Sequence, residues 1–560
     1  MSVTSLNVSA SNPISNYDLR KVLDKLGHKL KPEEEPDYLV LLQALDESVE
    51  SVMNLPDYEP TSDIERFPRK NVNYPKPEEN THGGWAWKCT IQDTKLNNGP
   101  LSGRKIVIKD NIAVSGVDCL LGTSMFTGWK PTADATVVTR ILEAGGTITG
   151  KAVCENLSLG ATSFSAATGP VHNPFARGYS TGGSSSGCGL LIASGEADMG
   201  MGGDQGGSVR IPASWCGLFG FKPTFGLVPY TGIAPLEPTI DHTGPMTRTC
   251  LDNAILLKSI AGRDDLDDRC AGAPLPSELP DYPGTLFAMK DADMPLKGFK
   301  IGMVKEGFEI CKKGGLNDPR VGVKVQEASE KWRELGAVVE DVSIPMHDLG
   351  ATLWVCIARM GSLPVLWGGM SGRSGYQMTE LTKKMHNIRT EEGWDNTPWS
   401  PKNMILNGTY LWDKHPELYG KAINQIRRLR ATYNEALSRY NVLVMPTIPY
   451  LPTTHAPPEA SVLEKVSRSL GQIFNTSPFN ATGHPSLSMY VPTPFFAKFI
   501  ITPGSCSRIN ICRPVGMLPA REDKNIRFPV GLQITGRHMD EMSIYKAAFA
   551  WEAKFDWKEL

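Results

Sequence analysis

The chain has 560 residues, with 58 Lys and Arg against 60 Asp and Glu, and a formal net charge of −2. That length fits one large catalytic domain with helical additions, and the balanced charge excludes the field that draws DNA, RNA or acidic membranes. No stretch offers the ~18 uninterrupted apolar residues of a spanning helix, and the eleven cysteines are scattered singly, which excludes a zinc ribbon or disulfide scaffold and points to reduced thiols in the cytoplasm.

Residues 1–20 are polar and rich in Ser and Asn, and read as a frayed leader without a signal-peptide pattern. Asp18 to Leu55 carries apolar residues at helical spacing, including Tyr38, Leu39, Leu41, Leu42 and Leu45. Pro56 to Asn98 is dense in Pro, Asn and Gly and reads as a connecting segment. The expected organisation is a helical N-terminal unit with its linker over 1–80 and a catalytic domain over 81–560.

From Gly103 onward strands and helices alternate. Lys105-Ile-Val-Ile-Lys109 reads as a strand, Thr136 to Ala144 as a helix closed by Gly145-Gly146, and Thr147 to Val153 as a second strand. A Gly and Ser stretch spans Tyr179 to Gly207; Gly298 to Val304, Pro319 to Leu335 and Ala337 to Val342 then give strand, helix and strand. Glu380 to Tyr440 has a helical pattern and reads as an excursion from the sheet, Asn441 to Pro446 as a buried strand, and Ser543 to Phe555 as a closing helix. The fold class expected is α/β, a mixed central β-sheet covered by helices.

Two glycine-flanked serine clusters carry the chemistry: Gly182-Gly183-Ser184-Ser185-Ser186-Gly187 and Gly202-Gly203-Asp204-Gln205-Gly206-Gly207-Ser208. Glycines beside a serine let backbone N–H groups turn inward toward a developing oxyanion. A flexible linker is the plain alternative, but apolar Leu190, Leu191 and Ile192 follow one cluster and Val209-Arg-Ile-Pro212 the other. Neither cluster ends in the Gly-Lys-Ser/Thr of a phosphate-binding loop. A serine nucleophile needs a base, and neither His172 nor His242 has an evident acidic partner. Lys109, ending a buried strand, would supply a neutral amine if desolvation lowers its pKa, although a lone Lys at a strand end also reads as a surface residue. The histidines form no HExxH motif, so no metal is expected, and a serine mechanism needs no cofactor. Lys151-Ala-Val-Cys154-Glu155 leaves open a cysteine nucleophile of nitrilase type.

Taken together, Lys109-Asp-Asn111, Gly182 to Gly187, Gly203 to Pro212, Gly220-Phe-Lys-Pro-Thr-Phe-Gly226 and Thr239-Ile-Asp-His-Thr-Gly-Pro245 make the chain, from about Leu101 onward, resemble the amidase signature family. The resemblance implies a Ser, cis-Ser, Lys triad: Ser208 as nucleophile, Ser184 as proton relay and Lys109 as base. It also implies an oxyanion hole from the backbone of Gln205, Gly206, Gly207 and Ser208. Leu159 and Phe164 fall where it suggests a substrate-pocket wall, although apolar residues there are more often plain core. Asp204 and Arg210 read as braces of the loop, and Ser185 and Ser186 as supporting donors or helix caps.

Gln205 in place of the commoner Thr, with Thr224-Phe-Gly-Leu-Val-Pro-Tyr230 and the helical leader, makes the chain similar to the nitrile-pathway (enantioselective) amidases. That resemblance implies an amidohydrolase of small aliphatic or aromatic primary carboxylic amides, working through an acyl-serine, and a homodimer. The partners expected are a small-molecule amide, no nucleic acid and no membrane. One component of a multisubunit amidotransferase that works on charged tRNA, and a non-catalytic scaffold, are the alternatives.

Tyr490 to Arg513 interrupts the resemblance, because joining His484-Pro-Ser-Leu-Ser-Met489 to Pro514-Val-Gly516 restores the family pattern. The segment has no acidic residue, and Met489-Tyr-Val491 and Cys512-Arg513 are encodable with splice donor and acceptor sequences in matching phase. It reads as a retained intron, with a lid over the pocket as the alternative.

Overall fold

The structure is a computed structural model that describes residues 3–95, 98–126, 128–369, 372–490 and 517–555. The chain forms two compact units, Met1–Pro60 and Thr61–Leu560. In the first, α1 (Asn16–Leu26) and α2 (Glu35–Met53) stand where the sequence suggests one helical region. The Ser15 N–H and hydroxyl both donate to Asp18 Oδ2 at the start of α1, and Gly27 at φ 71 ends it in the left-handed region.

The second unit is built on a twelve-stranded sheet. Its strands are β1 (Lys70–Asn73), β2 (Trp85–Ile91), β3 (Lys105–Lys109), β4 (Thr147–Ala152), β5 (Met199–Asp204), β6 (Phe219–Lys222), β7 (His242–Thr247), β8 (Lys300–Val304), β9 (Val338–Val342), β10 (Val442–Pro446), β11 (Ser486–Tyr490) and β12 (Gly531–Thr535). They lie in the order β1-β2-β4-β3-β5-β7-β6-β11-β12-β10-β8-β9. β3 runs parallel to β4 and β5, whereas β5 and β7 are antiparallel, so the sheet is mixed. Helices α3 (Thr136–Glu143), α4 (Ser186–Ala193) and α5 (Arg210–Cys216) follow β3, precede β5 and follow β5. Val137, Val138, Ile141 and Leu142 of α3 are all buried, as a 3.6-residue period requires of a covering helix.

One sequence expectation is corrected. The supposed connector 56–98 contains β1 and β2, and Trp85, Ala86, Cys89 and Ile91 of β2 are buried. Its proline-rich flanks hide a seven-residue strand in which Trp85, Trp87, Cys89 and Ile91 alternate with Ala86, Lys88 and Thr90. The Gly and Ser stretch contains α4 and β5, and every residue of β5 is buried. Its glycines are packing devices here, since a Cβ on Gly202 would lie 2.8 Å from Val209 Cγ2 and 2.9 Å from Ser185 Oγ. Side chains there would push α5 and the serine loop off the sheet.

Residues 379–439 contain the helices Thr379–Met385, Glu391–Asp395, Trp399–Lys414 and Leu418–Arg439. In the basic run, Ile426 and Leu429 face inward while Arg427 and Arg428 are exposed. The helix His347–Leu366 is long and apolar enough to cross a membrane, yet it packs against Trp399–Lys414 and Leu418–Arg439. The anomalous segment lies, beyond Tyr490, outside the described residues.

Candidate active site

Three neighbouring features of the sheet converge. β3 ends on Lys109, the Gly183–Ser184 peptide, which is cis, precedes α4, and Ser208 lies between β5 and α5. Because β3 and β5 are adjacent and parallel, their carboxyl ends, and the loops that follow them, share one edge of the sheet.

Lys109 Nζ lies 2.8 Å from Ser184 Oγ and 3.3 Å from the Gly203 carbonyl oxygen. Both side chains are fully buried. Burial lowers the Lys109 pKa, because an ammonium with a hydroxyl and a carbonyl for partners is poorly compensated. Lys151, equally buried, differs in having the Asp110 carboxylate at 3.3 Å and Cys119 Sγ at 2.8 Å. The lysine without a carboxylate partner is the one beside the serine.

Ser208 is 8% exposed while Ser184 is wholly enclosed. The two segments are tied by Ser185 N–H to the Ser208 carbonyl at 3.3 Å. Ser185 Oγ donates to the Gly203 carbonyl at 3.2 Å and Ser186 Oγ to the Val153 carbonyl at 3.4 Å. Both hydroxyls therefore brace the backbone around Ser184, and neither caps α4.

Residues 205–208 are held by their carbonyls. Trp354 Nε1 donates to the Gln205 carbonyl and Thr476 Oγ1 to that of Gly206, both at 2.6 Å. In a trans peptide the N–H points opposite the carbonyl, so the Trp354 tie fixes the direction of the Gly206 N–H and the Thr476 tie that of the Gly207 N–H. Among the described residues no protein group accepts the N–H of Gln205, Gly206 or Ser208. Gly207 departs from the expectation: its N–H donates to Asp204 Oδ1 at 2.8 Å. What Gly207 supplies is a φ of 136, with no room for a Cβ, which would lie 2.5 Å from Thr476 Oγ1.

Asp204 and Arg210 form the brace that the sequence suggests. Arg210 Nε and Nη2 contact the two Asp204 oxygens at 3.0 and 2.9 Å, and the guanidinium also donates to the Thr476 carbonyl, Gln533 Oε1 and Asn480 Oδ1. Burial alone would raise the Asp204 pKa, but the Arg210 charge and its hydrogen bonds hold the carboxyl well below the usual range.

A cavity adjoins this centre, lined by apolar Leu121, Leu157, Ile233, Leu236, Leu366, Leu381 and Met385 and by Asn111, Ser158, Tyr230, Arg269 and Arg373. Lys109, Ser184 and Ser208 are not in its wall. The link runs through Asn111, two residues beyond Lys109, and through Tyr230, whose hydroxyl accepts from Gln205 Nε2 at 2.7 Å. Arg373 pairs with Asp268 and Asp267, and Arg269 with Asp267 and Asp241, so both cations in the wall are already neutralised.

Neither predicted wall residue lines this cavity. Leu159 belongs to the same apolar cluster as the cavity-lining Leu157, Leu366 and Leu381, and its carbonyl accepts from Ser400 Oγ at 2.9 Å. Phe164 packs its ring against His455 at 5.8 Å. The cysteine alternative loses support, because Cys154 is fully buried and burial drives its thiol pKa far up. Trp354, Thr476, Asn480 and Gln533 have no signal in the sequence, since each lies 146 or more positions from the loop it holds. Among the described residues no His, Cys, Asp and Glu cluster could hold a metal.

The profile of the amidase family matches residues 85–544, and the chain belongs to that family, the family of the amidase signature. It is an amidase, a hydrolase acting on carbon–nitrogen bonds. An enantioselective amidase of Rhodococcus rhodochrous is 40% identical over 408 residues, covering 72% of this chain and 76% of that protein. A glutamyl-tRNA(Gln) amidotransferase subunit from Gloeobacter violaceus is 32% identical over 463 residues, covering 82% and 84%. The fold is that of the native peptide amidase from Stenotrophomonas maltophilia, at a TM-score of 0.60 and 24% identity over 81% of this chain and 83% of that one. The glutamyl-tRNA(Gln) amidotransferase subunit from Thermotoga maritima shares it, at a TM-score of 0.62 and 23% identity over 91% and 90%.

Proposed function

We propose that this amidase hydrolyses small aliphatic or aromatic primary carboxylic amides to the acid and ammonia through an acyl-enzyme on Ser208. The observation that carries the reading is the 2.8 Å contact between buried Lys109 Nζ and Ser184 Oγ. Burial favours the neutral amine, which is the form able to take a proton. Lys109 takes the proton of Ser184, Ser184 takes that of Ser208, and Ser208 Oγ adds to the amide carbonyl. The N–H groups of Gln205, Gly206 and Ser208 receive the oxyanion. Collapse breaks the C–N bond, the relay returns its proton to the leaving nitrogen, and water, deprotonated by the same relay, releases the acid.

The cavity wall is mixed, and its apolar side chains beside already paired arginines favour an uncharged acyl group. The 40% identity with an enantioselective amidase supports the same class. An amidotransferase reading has the glutamyl-tRNA(Gln) amidotransferase relatives in its favour, and it requires partner subunits. The two are separated by purifying the chain alone and measuring ammonia released from benzamide or propionamide: turnover supports the amidohydrolase, and none with either amide overturns it. A homodimer in the cytoplasm completes the proposal, supported by resemblance and by the nine described cysteines, all free thiols.

A further inference from the structure

We propose that Asn111 recognises the nitrogen of the scissile amide, its Oδ1 accepting a hydrogen bond from the –NH2 that leaves as ammonia. The inference rests on the serine mechanism proposed above and adds to it the group that distinguishes an amide from an ester.

Asn111 is 1% exposed and stands in the wall of the cavity beside the serine loop. Its Nδ2 donates to the Ala234 carbonyl at 3.4 Å, and that residue's N–H donates back to the Asn111 carbonyl at 2.8 Å, so the side chain is anchored there, with the Tyr230 hydroxyl as a second neighbour. Its Oδ1 is buried with no hydrogen-bond partner among the described residues. A carboxamide oxygen has two lone pairs, and leaving both empty in a buried site is costly unless a ligand or water fills them.

The position suits the leaving group. Asn111 Nδ2 and Lys109 Nζ each lie 3.4 Å from the place a Cβ would take on Gly203, so the carboxamide and the amine border the same space above that glycine. The leaving nitrogen must come within reach of the relay that protonates it, and its own hydrogens then face the groups beside that relay. A primary amide brings two N–H donors there, whereas the ester of the same acid brings none.

The test compares kcat/KM for benzamide and methyl benzoate in the wild type, in Asn111→Leu, which keeps the bulk but not the acceptor, and in Asn111→Asp, which keeps acceptor oxygens. In Asn111→Leu the amide should fall about tenfold or more while the ester changes by less than about threefold. Asn111→Asp should retain the wild-type amide-to-ester ratio even if both rates drop. Equal losses for amide and ester in Asn111→Leu, or an unchanged ratio, would overturn the assignment. Fluorophosphonate labelling of Ser208 in each variant reports folding and the nucleophile separately. A wild type labelled elsewhere would instead refute the serine mechanism.

Discussion

Lys109 and Ser184 lie 75 positions apart and meet at 2.8 Å inside the protein, away from water. A lysine spends its charge to be there, and what it gains is a hydroxyl for a neighbour in place of a carboxylate.

That pairing sets the first prediction. Ser208→Ala should abolish amide hydrolysis and fluorophosphonate labelling while leaving the thermal unfolding midpoint nearly unchanged, since it removes one hydroxyl. Ser184→Ala should lower kcat by ~10² or more, the usual worth of a positioned proton-transfer group. A Ser184→Ala enzyme with near-normal turnover would sink the relay.

The second concerns pH. Because burial depresses the Lys109 pKa, the folded chain releases this proton at lower pH than the unfolded chain, whose lysine titrates near ~10.4. Activity should fall as pH drops through the folded value, when the base becomes ammonium. Between that value and ~10.4 the unfolded state holds the extra proton, so this group's contribution to stability rises with pH. A kcat/KM profile without an acidic limb would remove Lys109 from the role of base.

Arg210→Met should destabilise the fold by about 3–5 kcal/mol, because it strands the Asp204 carboxylate in a fully buried site. Urea unfolding measures it, and a loss below about 1 kcal/mol would mean that the loop is braced by its other bonds.

Trp354→Phe removes the N–H that holds the Gln205 carbonyl at 2.6 Å and should lower kcat by about tenfold to a hundredfold with KM little changed. Equal changes in both, or none, would show that this tie does not aim the loop.

The segment 490–513 is tested on the message. Transcripts joining the codons of Met489 and Pro514, and a shortened chain that keeps its amidase activity, are the expected outcome. A transcript that retains these codons, with activity lost on deletion, would favour the lid.

The sequence by itself determined the family and brought Lys109, Ser184 and Ser208 forward as candidates, because they sit in local motifs whose glycines and flanking apolar runs are visible over a few positions. It also determined the strands β3, β4 and β10, where a local apolar pattern marks each one. It did not show β5, because a strand buried under two close helices is built from glycine and reads as a loop. Only the tertiary structure decided that Gly207 spends its N–H on Asp204, that Trp354 and Thr476 bind the carbonyls of the loop, and that Leu159 and Phe164 are not in the cavity wall. It alone left Asn111 Oδ1 without a partner among the described residues. Each of these depends on which groups meet across long stretches of chain, or on how one peptide plane is turned, and neither leaves a periodic trace in composition or spacing.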